Sequence, residues 1–140
     1  MDLGGRHGLV QLDDVVLPMS GVRITLRGVP PSLNKFAGRE NSWDYRTEKR
    51  TWTDIVVWAV KSGKQTPEHP FRRAEVEILY YFPTAARHDP DNYAGKFLLD
   101  GLTKAGVIED DSFAHITLAV AGAVDRKNPR TVITVREAEQ

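Results

Sequence analysis

The sequence predicts a single α/β (α+β) domain in which a mixed sheet carries two packed helices. Four short segments have the apolar patterning of strands, and two longer segments have the periodicity of helices. The 140 residues suffice for one hydrophobic core and are few for two. The predicted element order is β-α-β-α-β-β, which is typical of a sheet with helices packed on it.

The first half of the chain is predicted to hold two strands separated by one helix. Residues 21–29 (GVRITLRGV) alternate apolar and polar side chains, as a half-buried strand does. Residues 42–62 place apolar side chains on one side of a helix, and Gly63 follows as a stop signal. Residues 73–82 (RAEVEILYYF) form the second predicted strand.

The second half is predicted to hold the other helix and the last two strands. Asp91 or Asn92 is the predicted cap of this helix, and Gly106 is its predicted end. The last two strands are predicted at 114–123 and 131–137.

Residues 1–20 are predicted to be an N-terminal extension of a domain that spans 21–140. Glycine and proline residues punctuate this stretch. Met19, just before the first strand, is a candidate alternative start.

The composition narrows the chemistry that the chain can perform. There is no cysteine, so disulfides and thiolate metal sites are excluded, and any metal must be bound by oxygen or imidazole. This composition fits a reducing, cytoplasmic setting. No apolar run approaches the ~18 residues that span a bilayer, so we expect no membrane partner.

The charges are balanced overall but separated along the chain. Formal net charge is zero, which argues against indiscriminate nucleic-acid binding. Residues 23–50 nevertheless carry seven basic and three acidic side chains, while residues 89–111 carry six acidic and two basic ones. Charge alone leaves open whether these are two solvated faces or two parts of one site.

Two groups of acids flank the second predicted helix. Asp89 and Asp91 stand on either side of a proline, where an extended backbone points both side chains the same way. A second group, at 109–111, follows the helix. A helix of about 15 residues would separate the groups by ~22 Å. They meet only if 107–113 folds back along the helix, or if a second subunit supplies one group.

Acids gathered in this way suggest a site for a divalent cation. Carboxylates brought together repel one another unless a cation joins them, and Mg²⁺ or Mn²⁺ prefers such oxygen ligands. Lys96, on the predicted helix, could hold a phosphate group. Taken separately, the same residues are also typical of a helix cap, a surface turn and a solvated lysine.

Three segments together resemble the RusA family of Holliday-junction resolvases. They are GVPPSLNKF after the first strand, the DPDN doublet at 89–92, and LLDGLTKAGVIEDD at 98–111. The resemblance covers roughly residues 21–137. It implies a RusA-like fold and a homodimer that cuts four-way DNA junctions symmetrically with Mg²⁺, for which Mn²⁺ substitutes. It also implies a bacterial or phage-infected cell.

The resemblance also implies roles for individual residues. The catalytic residues would be Asp89, Asp91, Lys96 and Asp111, and Asp110 would join the three aspartates as a metal ligand. In the family pattern the lysine stands one place earlier, where this chain has Gly95. We expect an irregular first helical turn to absorb the extra residue, since glycine tolerates unusual dihedral angles.

The resemblance assigns the basic residues to the DNA-facing surface. They lie in the loop after the first strand, on the first helix and just before the acidic doublet: Lys35, Arg39, Arg46, Lys49, Arg50, Arg87 and His88. Side chains of this kind position phosphates without reading sequence.

The predicted function is metal-dependent cleavage of four-way junctions, and two alternatives remain open. One is a metal-dependent nuclease that acts on other branched DNA, or a phosphohydrolase that acts on nucleotides. The other is a catalytically silent DNA-binding homologue, suggested by the displaced lysine. For the expected dimer, the strands at 73–82 and 114–123 are both apolar enough to form an interface, and each could equally be core.

Overall fold

The computed structural model describes residues 21–33 and 42–138, and it confirms the predicted order of elements. The predicted extension at 1–20 lies outside the described residues. The elements are β1 (Gly21–Arg27), α1 (Ser42–Ser62), β2 (Ala74–Phe82), a 3₁₀ turn (Pro90–Asn92), α2 (Lys96–Lys104), β3 (Ile116–Val124) and β4 (Arg130–Glu137).

The four strands form one mixed sheet in the order β1-β4-β2-β3. β4 pairs antiparallel with both β1 and β2, whereas β2 and β3 run parallel. α2 forms part of the crossover between these two parallel strands, as parallel pairing requires. β2 is therefore a central strand, and β3 lies at an edge of the sheet.

The core lies between one face of the sheet and the two helices. Alternate residues of β2, from Ala74 to Phe82, are buried, as are Val56 and Val60 of α1. The helices approach each other closely at Gly101, where an added Cβ would lie 2.5 Å from the Cβ of Val56. This contact holds α2, and with it the segment that precedes it, against the rest of the fold.

The second helix is shorter than predicted, and neither Asp91 nor Asn92 caps it. The chain first makes the 3₁₀ turn, and α2 begins at Lys96. Gly95 is the N-cap residue, with a left-handed φ of 84°, and its carbonyl accepts the first helical hydrogen bond from the Leu99 N–H at 2.8 Å. Gly95 does adopt the unusual dihedral angles expected of it, but it precedes the helix and does not distort its first turn, so Lys96 is the first helical residue.

The end of α2 is as predicted. Gly106 has a left-handed φ of 82°, and its N–H donates to the Thr103 carbonyl at 3.1 Å. The Val107 N–H donates to the Leu102 carbonyl at 2.9 Å, which completes a Schellman motif. The motif turns the chain away from the helix axis.

The segment after α2 runs to the start of β2 and does not fold back along the helix. The Phe71 N–H donates to the Val107 carbonyl at 2.8 Å, and the Glu109 N–H donates to the Phe71 carbonyl at 3.0 Å. This short parallel bridge continues the direction of β2 and β3. It carries the acids at 109–111 to the end of the sheet where β3 begins.

Replacing Gly95 with alanine is expected to destabilise the protein by roughly 2–4 kcal/mol, because it adds backbone strain and a clash in a packed core. The added Cβ would lie 2.5 Å from Cδ1 of Ile78. Urea unfolding measures the change in the free energy of unfolding.

The double variant Gly95→Ala/Ile78→Val provides the control for this prediction. It lacks the clashing methyl and keeps only the strained backbone, so it should be more stable than the sum of the single effects predicts. Strictly additive losses would contradict the proposed contact.

Candidate active site

The acidic doublet lies on the 3₁₀ turn that follows β2. Asp89 has an extended backbone (φ −99°, ψ 133°) and precedes the turn, while Asp91 is its middle residue. The Asn92 N–H donates to the Asp89 carbonyl at 3.0 Å, which closes the turn. The Asp89 carboxylate accepts a hydrogen bond from Nε of Arg87 at 2.9 Å. Asp91 is exposed and forms no ion pair with any residue that the structure describes.

A cluster of four rings holds this turn against the end of β2. The His88 ring stacks on Phe82, with centroids 3.8 Å apart and an interplanar angle of 7°. Tyr93 makes edge contacts with Phe82 at 5.1 Å and with Tyr80 at 5.5 Å. Because His88 and Tyr93 bracket the doublet, the cluster fixes both ends of the segment that carries Asp89 and Asp91.

Sequence reasoning missed this cluster. Tyr80 and Phe82 were predicted only as residues of the strand at 73–82, and His88 was predicted only as a DNA contact. Its signal is present in the sequence: two aromatic residues two positions apart end the buried face of β2, and two more rings flank the acids.

The two tyrosines of the cluster are neutral groups. Burial, reinforced by the neighbouring Tyr93, raises the pKa of Tyr80 far above its usual value. Burial also raises the pKa of Tyr93, and a hydrogen bond with the Ser32 side chain partly opposes this rise. The same hydrogen bond ties the loop after β1 to the acidic segment.

Lys96 lies across the tyrosine pair from Asp89. One cavity is lined by Asp89 together with Tyr80 and Tyr93, and a second is lined by Lys96 with the same two tyrosines. Pro30, Pro31 and Leu33 of the first loop complete the second cavity. Lys96 is exposed and forms no ion pair within ranges 21–33 and 42–138, so its ammonium group can accept an anion from solvent.

The second acidic group lies in the turn that leads into β3. Hydrogen bonds from the Ser112 side chain and backbone lower the pKa of Asp110, whose carboxylate accepts from the Ser112 N–H at 3.3 Å. Asp111 is exposed. Glu109 is exposed, and its carboxylate lies 3.9 Å from Nδ1 of His115.

The structure keeps the two acidic groups apart within one chain. Asp89 shares a cavity with residues 120–122 of β3, whereas Asp111 precedes the first residue of that strand, Ile116. The separation along the strand is roughly 17 Å or more at 3.3 Å per residue. Among the described residues, no three histidine, aspartate or glutamate side chains are placed to hold a metal.

The carboxylates of the doublet are of the right chemical type to bind a divalent cation, but one chain brings too few of them together. Oxygen donors suit Mg²⁺ and Mn²⁺, and Asp89 and Asp91 are close neighbours on one turn. Within one chain they are two of the four expected ligands, because Asp110 and Asp111 lie at the other end of the strand.

The structure describes only some of the residues of the predicted basic surface. Lys35 and Arg39 lie outside the described residues. Arg46, Lys49 and Arg50 of α1 line a groove shared with α2. Lys49 pairs there with Asp100 at 3.6 Å, and a neighbouring pair joins Lys104 to Asp54 at the same distance.

The other basic residues differ in how free they are. Arg46 and Arg50 are exposed, and neither forms an ion pair with the described part of the chain. Arg87 is also exposed but is held by Asp89. The His88 ring is half-buried in its stack on Phe82, which leaves less of it for a ligand. No described helix is long and apolar enough to cross a membrane.

Comparison with known proteins identifies the family. The model of the family described as "Endodeoxyribonuclease RusA" matches residues 28–136. No curated protein matches the chain. The matched region contains both acidic groups, Lys96 and the first-loop residues beside it, and it spans most of the 140 residues. The chain belongs to the RusA family of endodeoxyribonucleases that act on Holliday junctions.

Proposed function

We propose that the protein is a metal-dependent endonuclease that resolves four-way DNA junctions by paired, symmetric phosphodiester cleavage, and that it acts as a homodimer. The observation that carries this proposal is the family match over residues 28–136, because all four candidate catalytic residues fall inside it. They are Asp89, Asp91, Lys96 and Asp111.

The edge position of β3 supports a dimer. Its nine residues, ITLAVAGAV, include no charge, and no other described strand pairs with its outer side. The opposite edge strand, β1, carries Arg23 and Arg27. Charged side chains protect exposed edges from pairing, and an unprotected edge is a template for another strand. A second copy of this chain is the simplest cover for β3.

A two-fold dimer through β3 would unite the divided acids. Two-fold symmetry makes the paired strands antiparallel, so the start of one β3 lies near the end of the other. Asp111 of one subunit would then approach Asp89 and Asp91 of the other. The symmetry produces two equal sites, as two symmetric nicks in a near two-fold junction require.

Each residue has a distinct role in this proposed site. Asp89, Asp91 and Asp111 hold Mg²⁺, for which Mn²⁺ substitutes, and Asp110 supports Asp111 as a further ligand. When bound, such an ion supplies an activated water and neutralises charge on the departing oxygen. Lys96, in the neighbouring cavity behind the two tyrosines, holds the phosphate through its ammonium group.

The α1–α2 groove supplies the DNA contacts outside the cleavage site. Arg46 and Arg50 bind phosphates directly, while Lys49 must first leave Asp100. Exposed pairs of this kind contribute little stability, so exchanging Asp100 for a phosphate costs little. The remaining proposed phosphate contacts are Lys35, Arg39, Arg87 and His88. Binding should therefore weaken steeply with salt.

Asp91→Asn should reduce junction cleavage by at least 10²-fold while junction binding is kept or tightened, because the variant loses a ligand and repels phosphate less. A labelled synthetic four-way junction, incubated in Mg²⁺, in Mn²⁺ and in EDTA, measures both effects. Glu68→Gln is the matched control, since Glu68 is an exposed acid away from the site, in the loop before β2.

The same assay separates the alternatives. Cleavage by Asp91→Asn at the wild-type rate would refute its assignment. If the wild-type protein cleaves flaps or nucleotides but not junctions, it is a nuclease for other branched DNA or a nucleotide phosphohydrolase. Junction binding without cleavage in either metal would identify a silent homologue, with Lys96 as the first residue to investigate.

Subunit mixing tests the shared site. Asp91→Asn and Asp111→Asn should each be inactive alone, yet their co-expressed mixture should nick one strand of the junction. The reason is that each mixed dimer keeps one site with all its acids and loses the other. If the purified mixed dimer is as inactive as its parents, the acids do not come from two subunits.

A further inference from the structure

Two ion pairs cross the α1–α2 groove in opposite directions. Nζ of Lys49 on α1 lies 3.6 Å from the Asp100 carboxylate on α2. Nζ of Lys104 on α2 lies 3.6 Å from the Asp54 carboxylate on α1. With the two arginines of α1, the groove therefore holds four cations and two carboxylates. A surface proposed to bind phosphates thus carries two anions of its own.

These ion pairs are not what holds the two helices together. Gly101 packs against Val56 with no room for a Cβ, and the hydroxyl of Thr53, which lines the groove, donates to the Phe97 carbonyl at 3.3 Å. The four paired side chains are from 29% to 63% exposed, and ion pairs this accessible to water contribute little stability. The position of the two acids among the cations therefore calls for another explanation.

The groove continues from the proposed cleavage site. Lys96, Asp100 and Lys104 stand four residues apart on α2, so they lie on one side of the helix. The two lysines are exposed, and Asp100 between them is half-buried. At 1.5 Å per residue, about 12 Å of helix separates the two lysines. A DNA strand whose phosphate is held by Lys96 would pass Asp100 on its way to Lys104.

The groove is large enough for a DNA backbone, and its acids and DNA would bind the same cations. Its volume is about 510 Å³. A cavity of about 150 Å³ holds benzene, so phosphodiester groups have ample room here. Carboxylate and phosphate oxygens both accept charge-assisted hydrogen bonds from an ammonium group. Each acid therefore occupies a lysine to which a phosphate could bind.

We propose that Lys104 is a further DNA contact, and that Asp100 and Asp54 compete with the DNA backbone for the lysines of the groove and so speed the release of DNA. The inference rests on the DNA binding of the proposed function and adds what limits the lifetime of the complex. When a phosphate leaves, a carboxylate within reach takes its place, so the lysine keeps a counter-charge. Affinity differences among variants of one interface lie mostly in the dissociation rate, where this competition acts.

Dissociation of duplex DNA in EDTA tests the competition without cleavage. Labelled duplex bound to the full-length protein is chased with unlabelled DNA, and stopped-flow fluorescence gives the dissociation rate. Asp100→Asn should slow dissociation roughly threefold to tenfold at low salt, because it removes a competing charge and its repulsion of phosphate. Asp54→Asn should slow it less, since Asp54 is the more exposed acid, at 58% against 29%. Added salt should shrink both effects.

Glu77→Gln is the matched control. The Glu77 carboxylate lies 3.3 Å from the Arg136 guanidinium, on the sheet face away from the helices. The variant therefore removes the same charge from an exposed ion pair outside the groove, and it should leave dissociation unchanged.

Changes to the lysines show whether the acids act through them. In a Lys49→Gln background, Asp100→Asn should lose most of its effect, because the lysine for which the acid competes is gone. Lys104→Gln should weaken duplex binding and lower the slope of its salt dependence by about one, as loss of a phosphate contact does.

The outcomes separate this inference from the proposed function. Unchanged or faster dissociation from Asp100→Asn would overturn the inference, as would additive effects of Lys49→Gln and Asp100→Asn, and the proposed nuclease would stand. A wild-type protein that binds neither duplex nor junction would overturn both. If circular dichroism shows that Asp100→Asn is unfolded, Asp54→Asn, alone and in a Lys104→Gln background, decides by the same criteria.

Discussion

The parallel pairing of β2 and β3 is the constraint on which the site depends. In a parallel pair, the residues that follow one strand and those that precede the other lie at opposite ends of the sheet. Asp89 and Asp91 follow β2, and Asp110 and Asp111 precede β3, so one chain divides its acids between two ends. This separation also spares the monomer the repulsion of several carboxylates gathered without a cation. In the proposed dimer, a second subunit supplies the missing acids.

The acidic turn lies outside the sheet, but ring packing holds it in place on both sides. His88 stacks on Phe82 before the acids, Tyr93 packs on the same cluster after them, and Gly95 lets the chain enter α2 in a tight space beside Ile78. Ligands that must bind a metal within a few tenths of an ångström need such support. The packing that stabilises the end of β2 thus also fixes the geometry of the proposed site.

The sequence predicted the elements well and their arrangement less well. Alternation in β1 and the apolar side of α1 are strong local signals, and the Schellman glycine Gly106 marked the end of α2 correctly. The start of α2 was wrong, because Asp91 and Asn92 are good caps in isolation while the left-handed Gly95 decides the start. The edge position of β3 depends on pairing between distant strands. For this reason 73–82 and 114–123 looked equally suited to an interface, although β2 is central.

The central claim is that the metal site exists only in the dimer, and Mn²⁺ binding tests it most directly. Electron paramagnetic resonance of free Mn²⁺ would be followed across protein concentrations above and below the dimer dissociation constant, for wild type and for Asp111→Asn. The account predicts that binding appears with the dimer and is weakened strongly in the variant. Equally tight binding by the monomer, or binding that Asp111→Asn leaves unchanged, would contradict it.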